Sequence, residues 1–370
     1  MTTHDVVVLG AGAMGLATAH ALAGRGRRVA LVERFEPGHA RGSSHATARV
    51  FRLGYEDADY IALARAALPR WRDLEARTGA SLLELTGVVD HGPADAIAPI
   101  TDAFVANDVE HEVLDPERAA ARWPGMRFDA AVVHHPTGGR VAAQRTLDVL
   151  LQRTRQHGAD VRVATAVVGV DVGDGGVAVR LDDGSVLRAD RIVSTVGAWT
   201  QKVLDGVVAL PPMQVSAEQP MFFRPVVRHP GEWLPAVHRG VEDVYLFGVP
   251  GEGVKVSEHY RPEWLDPDDR PFDEDTAATA RLADYIRRWL PGIDPTPVSM
   301  TRCLYTTTPD RDFVLDRVDR VVIGAGFSGH GFKFTPAIGE VLADLAEGAS
   351  QSIERFRIRA GTRTAGSGVK

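Results

Sequence analysis

At 370 residues, with 44% hydrophobic and 25% charged side chains, the chain is too long for one compact core and too apolar for a disordered polymer, so about two domains are expected. A net charge of −7 argues against a nucleic-acid partner, which usually demands a basic face, and a single cysteine excludes an intrachain disulfide framework. No apolar run approaches the roughly 18 residues of a membrane span and the first residues carry no basic-then-apolar leader, so the reading is a cytoplasmic chain without a membrane partner.

Residues 6–9 form an unbroken apolar run, GAGAMG follows, and residues 29–32 make a second run ending in Glu33. This predicts strand, glycine turn, helix and strand, with Gly24 and Gly26 closing the helix because glycine accepts positive φ. Ile61, Ala64, Leu68, Trp71 and Leu74 recur at three- and four-residue steps, which predicts an amphipathic helix stopped by Thr78-Gly79 and packed on a sheet. A further helix is expected over 145–157. Short strands over 161–172, 177–181 and 185–187 are separated by GDGG and DDG, turn sequences that favour hairpins, and lead into a buried strand in RIVSTVGAW. By analogy, such a meander between parallel strands marks FAD-binding versions of the dinucleotide fold. Prolines and aromatics crowd 209–302, after which the chain returns through VVIGAGFSGHGF to a helix over 336–346.

The fold class is therefore α/β, with a discontinuous FAD-binding dinucleotide fold expected from 1–84, 138–208 and 303–358, a second domain from 85–137 and 209–302, and a flexible tail from 359–370.

Gly10, Gly12 and Gly15 form GxGxxG between strand and helix. The first permits the tight turn, the second lets backbone amides approach a pyrophosphate, and the third allows close helix–strand packing. Glu33, at the end of the second strand, is placed to accept hydrogen bonds from ribose hydroxyls. A second cluster, Gly324, Gly326, Gly329 and Gly331, follows another apolar strand and precedes a helix. In a fold holding extended FAD, one helix N-terminus faces the pyrophosphate and the other the flavin. Only four of 42 basic residues are lysine, so Lys255 in GVKV and Lys333 in GFKF stand out where arginine is the default cation. A snorkelling side chain is the alternative for each.

RCLYTTTPDRDFVLD followed by IGAGFSGHGFKF resembles the monomeric sarcosine oxidase family of flavoproteins, which includes N-methyltryptophan oxidases. HATARVFR and GVKVSEH resemble its remaining signatures. The resemblance implies an FAD-dependent oxidase that acts as a monomer on a small-molecule secondary amino acid, N-methyl or cyclic. It would oxidise the C–N bond to an imine, with O2 reduced to H2O2. The resemblance further implies that the second domain is an α+β, antiparallel-sheet substrate domain, that Cys303 forms a thioether to the flavin, and that Arg52 and Lys333 hold the substrate carboxylate. Arg49 and Lys255 would lie beside the flavin ring, with His45, His259 and Tyr305 nearby. Two positions depart from the family: Phe247 stands where a tyrosine is frequent, and His238 falls where sarcosine oxidase has a methionine in its pocket. The competing readings are a flavin dehydrogenase of amino acids with another electron acceptor and a non-catalytic flavin-binding redox module.

Overall fold

The computed structural model describes residues 4–227, 233–240, 243–259, 263–350 and 353–358; the expected tail, 359–370, lies outside them. Its first sheet grows from the glycine-turn unit. His4–Leu9 pairs in parallel with Val29–Val32 on one side and Val186–Ser194 on the other. Asp160–Arg162 extends the sheet beyond Val29–Val32, and Val321–Ala325 with its antiparallel neighbour Val314–Val318 extends it beyond Val186–Ser194. The meander is present, as Val167–Gly173 and Gly176–Leu181. The segments read from sequence as two strands, 185–187 and RIVS, are one nine-residue strand. Its first half takes Gly176–Leu181 as an antiparallel neighbour and its second half takes Val321–Ala325 as a parallel one, so the sheet branches there. Local turn signals cannot show that one strand serves two partners.

Ala13–Gly24 packs against Thr335–Ala346, a closeness that small residues allow: a Cβ on Gly339 would stand 2.6 Å from the Cβ of Ala17. Ala58–Thr78 ends at Gly79 in the left-handed conformation, as its sequence predicts. It packs mainly on Thr335–Ala346 and the turn Phe332–Phe334, because Thr335–Ala346 lies against the strands of the first sheet on that side.

The second sheet runs in the order Ile293–Met300, Met221–Pro225, Gly253–Glu258, Val244–Val249, Ala236–His238, Val88–Gly92, Ala131–His135, Glu112–Leu114. Three of these strands come from 85–137 and five from 209–302. The expectation of an antiparallel sheet needs one correction: Ala236–His238 and Val88–Gly92 are parallel. These two strands belong to segments far apart in the chain, so no hairpin dictates their direction. Thr276–Trp289, capped by Asp275 accepting from the amides of Ala277 and Ala278, lays Leu282 and Ile286 against Met221, Phe223, Leu246 and Val256. Between the two large sheets, Ala48–Phe51, Gly139–Ala142 and Leu83–Leu85 form a small sheet, and Gln214–Glu218 pairs with Cys303–Thr307. No helix of the described residues is long and apolar enough to cross a membrane.

Trp71 is fully buried on Ala58–Thr78, and its indole N–H donates to the carbonyl of Lys333 at 2.8 Å. Trp71→Ala opens a cavity and strands that carbonyl, so unfolding in denaturant should show a loss of about 3–5 kcal/mol.

Candidate active site

A cleft of about 560 Å³ runs between the sheets, with the first glycine turn at one end. Gly10 has φ +90°, and a Cβ there would press on the Thr195 carbonyl at 2.8 Å. At Gly15 a Cβ would lie 1.8 Å from the Gly10 carbonyl, so only glycine lets helix and strand meet. Gly12 faces the Ser44 hydroxyl, which accepts from the Ala13 amide at 3.1 Å at the helix N-terminus. Buried Glu33 accepts from the amides of Ala11 (2.6 Å) and Phe35 (3.0 Å), which fixes its carboxylate on the cleft wall.

The second cluster lines the same cleft. Gly326 and Gly329 have φ of +64° and +75°, and a Cβ on Gly329 would stand 2.1 Å from the Tyr305 ring. A side chain on Gly331 would collide with Phe327. Two cradles that a Cβ would fill, with a carboxylate anchored beside the first, fit an extended FAD: the residues around Gly12 would hold its pyrophosphate and those around Gly329 its flavin.

Cys303 opens the strand Cys303–Thr307 and lines the cleft. Burial pushes its thiol up, while Arg49 and Lys255 oppose that shift by favouring thiolate. Arg49 is held by three carbonyls, those of Ala48 (3.0 Å), Ser43 (2.8 Å) and His45 (2.5 Å). Lys255 is paired in register with Phe222 on one neighbouring strand and Phe247 on the other, and its Nζ lies 5.9 and 5.7 Å from the two ring centres. Burial lowers its pKa to about 7, with Arg49 adding to the shift.

Arg52 lies 4.5 Å from the centre of the Tyr55 ring and donates to the Gly54 carbonyl. Lys333 donates to the Tyr55 hydroxyl at 2.9 Å and the His330 carbonyl at 2.5 Å, so Tyr55 joins the two cations. Burial and the nearby Arg52 hold Lys333 well below the usual ammonium pKa. Nδ1 of His259 is 3.2 Å from the Tyr305 hydroxyl, and burial together with Arg52 and Lys333 pushes the imidazole down to about 3. His45, lowered to about 4 by burial and Arg49, is likewise neutral, and its Nε2 has no hydrogen-bond partner among the described residues.

Arg49, Arg52, Lys255, Lys333, His45, His259, Tyr305 and Phe247 thus line one cleft with Cys303. His238 does not. Side chains alternate along Ala236–His238, so Val237 faces the cleft and His238 the opposite side of the sheet, where it stacks on His91 at 4.2 Å and reaches the Tyr285 hydroxyl at 3.2 Å. Three residues went unnoticed in the sequence. Tyr245, two positions before Phe247 and on the same face, lines the cleft and returns a hydroxyl to that wall. Tyr55 and His330 form the floor under Lys333, with 3.3 Å between the phenol oxygen and the imidazole Nδ1. Strand alternation was enough to find Tyr245, whereas Tyr55 and His330 meet only through the fold.

The chain is 32% identical over 363 residues to a monomeric sarcosine oxidase of Bacillus sp. (strain NS-129), covering 94% of each chain. It is 25% identical to an N-methyl-L-tryptophan oxidase of Yersinia pestis, covering 95% of this chain and 97% of that one. Among solved structures it is similar to NikD, described as an unusual amino acid oxidase essential for nikkomycin biosynthesis, in its open form: TM-score 0.86, 28% identity, 97% and 98% coverage. A family model for FAD dependent oxidoreductases (DAO) matches residues 5–345. With two glycine cradles on one cleft and a match over nearly all its length, the chain belongs to the DAO family of FAD-dependent oxidoreductases.

Proposed function

We propose that the enzyme oxidises the C–N bond of a secondary amino acid, N-methyl or cyclic, to an imine, with O2 reduced to H2O2. The observation that carries this reading is the pairing of Arg52 and Lys333 across Tyr55 in the cleft. A guanidinium fork and an ammonium in one apolar recess suit a carboxylate, which would leave the adjacent amine toward the flavin. Bound FAD supplies the two-electron sink for the C–N bond and the route of those electrons to oxygen.

The protein's part is binding, orientation and field. Neutral His259 and Tyr305 offer hydrogen bonds to the uncharged amine that must donate electrons. Phe247, Tyr245 and Val237 form an apolar wall with one hydroxyl, room enough for an N-methyl or ring substituent. Arg49 and Lys255 set positive charge beside the flavin, where it favours electron transfer to oxygen. Lys255 lies between the Phe222 and Phe247 rings, and a cation held there beside the flavin favours an oxidase over a dehydrogenase with another acceptor. Cys303 is the thiol for a covalent thioether to the flavin, assisted by the cations that favour its thiolate. Segments 1–84, 138–208 and 303–358 are read as the cofactor side and 85–137 with 209–302 as the substrate side. The enzyme is read as a cytoplasmic monomer, in keeping with the monomeric relative and the single cysteine.

If Cys303 carries the cofactor, the yellow colour stays with acid-precipitated protein, and Cys303→Ala releases it to the supernatant. Release from the wild type ends the covalent assignment.

Lys255→Met should slow flavin reoxidation by about two powers of ten and anaerobic reduction much less. Burial brings Lys255 to about 7, and a flavin anion beside it would raise that value, so wild-type reoxidation should fall as pH rises through the raised value, above 7. Lys255→Met should lack that pH dependence; stopped-flow traces across the range decide it.

Lys333→Met removes a charge-assisted hydrogen bond and should weaken substrate binding by about one to two powers of ten. A peroxide-coupled panel should show sarcosine, N-methyl amino acids, proline and pipecolate ahead of primary amino acids, and decarboxylated amines far behind their parent acids. Equal kcat/KM for acid and amine refutes the carboxylate clamp.

A further inference from the structure

The Gly54 carbonyl accepts from two guanidiniums. One is that of Arg52; the other belongs to Arg239, whose Nη2 lies 2.8 Å away. Arg239 is anchored in turn by Asp90, with Nε at 2.7 Å and Nη2 at 2.6 Å from the same carboxylate oxygen. Asp90 has no exposed surface, and its other oxygen has no partner among the described residues. That oxygen lies against Gly54, where a Cβ would stand only 2.5 Å from it.

The pair sits on the parallel junction of Ala236–His238 with Val88–Gly92, the one parallel pairing of the second sheet among the described residues. Asp90 lies opposite Val237, and the Arg239 amide donates to the His91 carbonyl at 2.8 Å. Alternation places Arg239 on the same face as cleft-lining Val237. The chain therefore runs from a buried carboxylate in one sheet, through Arg239 and a glycine carbonyl, to a cation of the site. A buried ion pair is weak as a stabilising device, because desolvation offsets most of its attraction, so its placement calls for another account.

We infer that Asp90 and Arg239 are positioning residues for Arg52: together they fix the Gly54 carbonyl and so hold the Arg52 guanidinium in its substrate-binding orientation. This rests on the proposed role of Arg52 in carboxylate binding. Asp90 also offsets the charge of Arg239, which otherwise repels Arg52 across their shared acceptor. Neither residue lines the cleft, so the effect falls on the binding of carboxylates and not on electron transfer.

The test uses flavin-loaded enzyme, with acetate as a bare carboxylate probe followed by flavin absorbance, alongside steady-state kinetics on an N-methyl amino acid. Arg239→Met should raise the acetate Kd and the substrate KM by roughly three- to thirtyfold, with a smaller change in kcat. Asp90→Asn/Arg239→Gln, which removes both buried charges and keeps amide partners, should show the same split and decides the matter if Arg239→Met does not fold. Arg52→Met run in parallel separates the two claims. If Arg52→Met leaves the acetate Kd unchanged, the clamp itself fails and this inference with it. If Arg52→Met weakens acetate while a folded Arg239 variant binds it as the wild type does, or loses kcat as much as it gains KM, the positioning role alone is overturned.

Discussion

The cleft concentrates buried positive charge where two sheets meet, and much of its geometry follows from that constraint. Arg49, Arg52 and Lys333 are held by neutral carbonyls and the Tyr55 ring and hydroxyl, while Lys255 lies between aromatic rings. Acceptors of that kind fix orientation without cancelling charge. The field therefore stays available to an anionic ligand. Burial, with the neighbouring cations adding to it, keeps His45 and His259 neutral at physiological pH and brings Lys255 down to about 7.

The scaffold explains how such charges are kept in place. Trp71 on a helix of the first half donates to the carbonyl of Lys333, and the turn carrying that lysine leads straight into the helix covering the first sheet. Arg270 bonds the carbonyls of Ala40, Arg41 and Arg302, tying the loop before Ser43 and His45 to the residue preceding Cys303. Arg52 receives support from both halves, the Tyr55 ring on one side and the Asp90–Arg239 pair on the other. A site assembled from distant segments needs such cross-ties, since small displacements of a charge in a low-dielectric recess change its interactions steeply.

Much was legible before any tertiary structure. The glycine turn, the acid ending the second strand, the helix stop at Gly79 and the hairpin sequences express backbone preferences that act within a few residues, so they survive in the one-dimensional pattern. The scarcity of lysine singled out Lys255 and Lys333 with no geometry at all. The side of the sheet that His238 faces was not legible, because the strand is three residues long and its alternation has no anchor until a neighbour pairs with it. The parallel contact of Ala236–His238 with Val88–Gly92 was hidden for a similar reason, as no turn links the two segments.

The sequence by itself determined an α/β chain with two glycine clusters that each follow a strand and precede a helix, a lone cysteine beside arginine and two exceptional lysines, because local conformational and chemical preferences carry that information. Only the tertiary structure decided that Tyr55 joins Arg52 to Lys333, that Tyr245 returns a hydroxyl to the wall that Phe247 leaves apolar, and that Asp90 reaches Arg52 through Arg239 and Gly54. Those contacts span up to 278 residues of chain, and such separations are set by sheet order and helix packing, which no short window of sequence encodes.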